Sequence, residues 1–167
     1  MMQRAGRDFL YLDYHSVPVA LLLLFATQRD DVVKFVGETL HYRSGLQVRF
    51  RFSMKRYRSS RVDAVAQGFW QAFVPQNGNV LTMKLEDLRR MRDAAGSERD
   101  LFEFVRNALC NEDDGFIREI SIEYKTEFGR KIESRQLSEG ELKLAFFRAL
   151  YEFVAEDDGR KRHRVFR

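Results

Sequence analysis

The run Val17-Pro18-Val19-Ala20-Leu21-Leu22-Leu23-Leu24-Phe25-Ala26 constrains this chain more than any other feature. Uninterrupted apolar residues leave no polar face for water, so a helix made of them is enclosed by protein or spans a membrane. A span needs about 20 such residues, and this run stops at Ala26, close to the charges of Arg29, Asp30 and Asp31. It also lies too late, behind too many charges, to read as a secretory signal. The expectation is a helix buried on all sides and no membrane partner. Ser16 and Pro18 supply a helix-start signal, and the helix is expected to end near Thr27.

Enclosing such a helix takes a real core. The chain has 167 residues, of which 44% are hydrophobic and 32% charged, enough for one domain of ordinary size. Its net charge of +4 is too mild to demand nucleic acid, because acids and bases are interspersed. The single cysteine, Cys110, excludes an internal disulfide and makes a reducing cytoplasm the default expectation.

Periodicity sets the other elements. Asp30 and Asp31 open a second short helix carrying Val32, Val33, Phe35 and Val36. In "GLQVRFRFS" Leu46, Val48, Phe50 and Phe52 alternate with Gln47, Arg49, Arg51 and Ser53, a strand with one buried and one basic face. "QGFWQAFV" reads as its partner strand, and "PQNGNV" with Asn77-Gly78 as a turn. Leu85, Leu88 and Met91 mark one helix, and Leu101, Phe102, Val105, Ala108 and Leu109 another that opens at Ser97. "REISIEYKT" returns to strand through Ile120, Ile122 and Tyr124. The order predicts a mixed α+β fold, a helical lobe with a small antiparallel sheet, rather than a doubly wound sheet.

The stretch "RQLSEGELKLAFFRALYEF" carries the strongest functional signal. Ser138 followed three residues later by Glu141 forms a capping box. Leu142, Ala145, Phe146, Ala149, Leu150 and Phe153 form an apolar stripe behind it. Gly140 is not explained by capping, since glycine in a helix costs about 1 kcal/mol against alanine. It does strip bulk from a turn whose free N–H groups and dipole favour an anion.

"LSEGE" opening an amphipathic helix, with "RAL" behind it, resembles the signature motif of ABC-type ATPases. The match is closer to the L-S-x-G-E form of RecF-like, structural-maintenance-of-chromosomes-like and overcoming-lysogenization-defect-like AAA ATPases, which are common in bacterial defence and restriction-associated systems. "YLDYHSVPVALLLLFA" is similar to the helical part of such defence ATPases. The resemblance implies that Ser138 and Gly140 contact the γ-phosphate of ATP held by a facing unit, while Glu141 caps and positions the helix. It implies ATP and Mg2+ as cofactors, and a homodimer or a complementary ATPase chain as partner.

That family grips ATP through G-x-x-x-x-G-K-[ST], and none of the 10 glycines here precedes Lys-Ser or Lys-Thr. It also uses an aliphatic strand ending in Asp-Glu. The one look-alike, "EFVAEDD", continues the helical stripe, and "GRKRHRVFR" follows it. The expectation is an interior piece of an ATPase head: a helical and small-sheet lobe over 1–135, the signature and its helix over 136–158, and a basic, disordered tail over 159–167. Alone, it is expected not to hydrolyse ATP.

The alternative function is nucleic-acid binding or an interaction module without an ATP role. "RFRFSMKRYRSSR" supplies Arg49, Arg51, Lys55, Arg56, Arg58 and Arg61 for phosphates, DNA included. Alternation turns Phe50 and Phe52 inward and leaves Tyr57 for stacking. His15, His41 and His163 lie far apart without ligand spacing, so no metal site is expected. Cys110 has no evident partner base and reads as a core or half-buried thiol.

Overall fold

The computed structural model describes residues 16–110 and 115–151. Helices α1 (Ser16–Ala26) and α2 (Asp30–Thr39) lead into strand β1 (Tyr42–Phe52), then α3 (Met54–Ser59) and α4 (Ala64–Phe73). Strand β2 (Val80–Met83), helices α5 (Leu85–Ala95) and α6 (Glu98–Cys110) and strands β3 (Ile117–Thr126) and β4 (Lys131–Glu133) follow. A single 3-10 turn, Ser134–Gln136, then enters α7 (Glu139–Ala149). The fold is mixed α+β, with one four-stranded sheet in the order β2-β1-β3-β4 and every pair antiparallel.

The apolar run behaves as its composition requires. Val19 to Ala26 are all buried, because α1 packs against α5, α6 and α7 and also touches α2 and β3. Among the described residues no helix is long and apolar enough to cross a membrane. The inner sheet face is the one that alternation predicts: Leu46, Val48, Phe50 and Phe52 from β1, with Ile120, Ile122 and Tyr124 from β3. Tyr124 is enclosed and donates its hydroxyl hydrogen to the Leu40 carbonyl at 2.7 Å, tying β3 to the end of α2.

Two readings need correction. "QGFWQAFV" is not a strand but most of α4, whose first turn is capped by Asp63 Oδ1 accepting from Ala66 N at 2.8 Å. Phe69 and Trp70 are buried on one face of that helix, and Phe69 stacks on Phe104 of α6. The partners of β1 are β2 and β3, in register Phe50↔Leu81 and Phe50↔Ile120. Ser53 ends no strand: its hydroxyl accepts from Arg56 N and caps α3. The turn at Asn77-Gly78 is present, with Gly78 at φ +83°, but it joins a helix to a strand. Residues 152–167, which include Phe153 and the basic tail, lie outside the described residues.

Candidate functional site

The start of α7 is built by two local caps in series. Glu133 N donates to Gln136 Oε1 at 2.7 Å, which closes the 3-10 turn. Leu137 is buried and anchors the chain. Ser138 N then donates to Glu141 Oε2 at 2.7 Å while Glu141 N donates to Ser138 Oγ at 3.2 Å. This reciprocal pair satisfies two main-chain donors and fixes the direction in which α7 leaves the sheet.

Ser138, Glu139 and Gly140 are exposed above this frame. A Cβ placed on Gly140 would meet only Ser138 Oγ, at 3.9 Å, so nothing inside the described fold requires glycine here. The Ser138 oxygen accepts one hydrogen bond and keeps its own proton to donate. The charges nearby are already engaged. Glu139 pairs with Lys143 one turn on at 2.6 Å, and that contact holds its carboxyl below the usual range. Glu141 is taken up by the Ser138 amide. Beneath the turn, burial pushes the Tyr124 hydroxyl far up, and the Glu141 charge adds to that shift.

The face of α7 turned to the core carries Ala145, Phe146 and Ala149, buried against α1, with Leu142 and Leu150 half-buried beside them. Leu144, Phe147 and Tyr151 are exposed on the other side. Arg148 reaches Asp31 of α2 at 3.0 Å and lies over the Phe35 ring, which locks α7 to α2.

The basic stretch is divided by the fold. Arg49 and Arg51 project from the outer sheet face into a shallow recess shared with Glu119, Glu123 and Glu133, and Arg51 pairs with Glu119 at 3.4 Å. Lys55, Arg56 and Arg58 sit on α3, where the Arg56 guanidinium donates to the Gly115 carbonyl at 3.4 Å. Arg61 lines a separate cavity beside Asp63, Glu103 and Trp70. Tyr57 is not available for stacking on bases: it is half-buried with its ring edge-on to Phe116 at 5.1 Å.

His41 pairs through Nδ1 with Glu127 at 2.9 Å, and no cluster of three or more potential metal ligands occurs among the described residues. Another recess, bounded by β1, α5, β3 and β4, draws on segments far apart in sequence, so no local motif announces it. No protein-family model matches the chain, and neither a curated protein nor a solved structure matches it.

Proposed function

We propose that this chain supplies the signature half-site of an ABC-type ATPase assembly, with Ser138 and Gly140 contacting the terminal phosphate of ATP held by a facing unit. The observation that carries the reading is the start of α7. A hydroxyl with a proton to give stands beside a glycine that the fold does not need, above a turn whose neighbouring carboxylates are both engaged. The N–H groups and dipole of such a turn favour an anion, against the charges that Glu139 and Glu141 keep. In the reaction, a phosphoryl group passes to water, and negative charge spreads over the terminal oxygens. Fixed donors aimed at those oxygens lower the barrier without reorganising. Ser138 would donate its hydroxyl hydrogen, Gly140 would let the phosphate approach the main chain, and Glu141 would hold the turn in place. The facing unit would bring the phosphate loop and the residues that hold Mg2+. A role in DNA-related defence belongs to the same proposal, through the family resemblance alone. The nucleic-acid alternative draws less support, since glutamates stand among the sheet arginines and Tyr57 is packed away.

The test is nucleotide-dependent association. The tagged chain is incubated with its cellular extract and either a slowly hydrolysed ATP analogue or ADP. The expected partner contains G-x-x-x-x-G-K-[ST], associates only with the ATP analogue, and is lost on Gly140→Trp. Association that ignores the nucleotide, or that survives Gly140→Trp, would overturn the proposal.

A further inference from the structure

The recess between β1 and α5 has a volume of about 620 Å³. It exists because β2 pairs only with Val48 to Arg51, so β1 runs on from Met83 without a strand on that side. There β1 is irregular: its register with β3 shifts between Tyr42 and Gln47, and Gly45 takes φ +69°. The gap is bounded instead by the start of α5 and by the ends of β3 and β4. Each contributes cations: Lys84 and Arg89, then Lys125, then Lys131. Only Glu86 and Glu123 oppose them, and Glu123 is already held by Lys131 at 3.2 Å.

Arg89 is the informative member. Its Nε is shut off from solvent, and among the described residues it has no hydrogen-bond partner. Because that nitrogen is enclosed, a ligand in the recess would meet the rest of the half-buried guanidinium, whose charge lines the recess wall. Burial pushes the half-buried Tyr42 hydroxyl up, while a main-chain hydrogen bond at Leu46 and, to a lesser degree, the Arg89 charge pull it back. A phenol and a guanidinium therefore share one wall of the recess, with lysines around the rim. We infer that this recess binds a small molecule carrying two or more phosphate groups, with Arg89 as the central donor and Lys84 and Lys125 as charge partners. A multiply charged ligand fits better than a monocarboxylate, because several cations converge on one place while a single carboxylate can neutralise only one. A local recess at the end of a sheet suits a compact ligand rather than a nucleic-acid strand, which needs a continuous cationic track. The site is separate from the α7 turn, since Ser138, Gly140 and Glu141 do not line it.

Pyrophosphate is the probe, titrated calorimetrically into the chain at low and at moderate salt, with a single-stranded oligonucleotide titrated in parallel. Binding of pyrophosphate is expected, weakened at least tenfold by Arg89→Met and by Lys125→Gln and unchanged by Lys34→Gln, a lysine of α2 that does not line the recess and pairs with Glu38. Arg89→Met is expected to leave the melting temperature unchanged or higher, because it deletes a donor without a partner. Should that variant not fold, the rim variant Lys125→Gln decides alone. The inference is overturned by no heat at millimolar pyrophosphate, by equal weakening in Lys34→Gln, or by an oligonucleotide that binds more tightly than pyrophosphate.

Discussion

Replacing Gly140 with alanine separates the two roles of the α7 turn. Gly140 is the second residue of the helix, with a free exposed surface and ordinary helical backbone. An added Cβ lies 3.9 Å from Ser138 Oγ, an unstrained contact, so neither sterics nor φ opposes the change. Alanine exceeds glycine by about 1 kcal/mol in a helix interior, and part of that gain comes from a less flexible unfolded chain. In the first turn, where fewer main-chain bonds are closed, the expected gain is about 0.5 kcal/mol. For a domain of this size that raises the melting temperature by about 1–2 °C. Urea unfolding followed by circular dichroism measures the first quantity. In an assembled ATPase the same methyl group intrudes where the phosphate approaches, and turnover should fall about 100-fold, as when one preorganised donor to a developing charge is lost. A variant that is more stable and fully active would reduce the turn to a capping box and refute the phosphate contact. A variant destabilised by more than about 0.5 kcal/mol would refute the open environment from which the gain is worked.

Leu22→Ala, at the centre of α1 and fully buried, should cost about 3–4 kcal/mol by urea unfolding, in the middle of the large-to-small range. Tyr124→Phe leaves the Leu40 carbonyl without its donor and should cost about 1–2 kcal/mol. The folded Tyr124 hydroxyl titrates above its unfolded value near 10, so its contribution is complete below about pH 10 and is lost as pH rises further. Stability should therefore fall more steeply above pH 10 in the parent than in Tyr124→Phe, as read by melting temperature across an alkaline series. The purified chain alone should release no phosphate from ATP; turnover near 1 per second, ordinary for an enzyme, would contradict the half-site reading.

The parts of this fold legible in sequence are those whose signal is local and one-sided. β1 and β3 bury one face and solvate the other, so Val48, Phe50, Ile120 and Ile122 announce themselves by alternation. α4 misleads because "GFWQAF" is rich in aromatics that favour strands; Asp63, three residues before Ala66, was the contrary signal. β2 is short and buries only Met83, too little for a period to register. The α7 turn is legible because a capping box spans only four residues. The cationic recess is not, because Tyr42, Arg89, Lys125 and Lys131 meet only after the sheet has formed.

The enclosure of α1 has a consequence for how the molecule is made. Its walls are α5, α6 and α7, all of which leave the ribosome after it, and α7 comes last among the described elements. The sheet that supports them also waits, since β1 pairs along its length with β3, on the far side of α3 to α6. Contacts this distant in sequence make folding slow. Until those walls have emerged, Val19 to Ala26 are an incompletely covered apolar surface of the kind that chaperones bind and that drives aggregation. A chain stopped before Glu139 lacks the wall that α7 supplies, so the cover over α1 stays incomplete until α7 has been made.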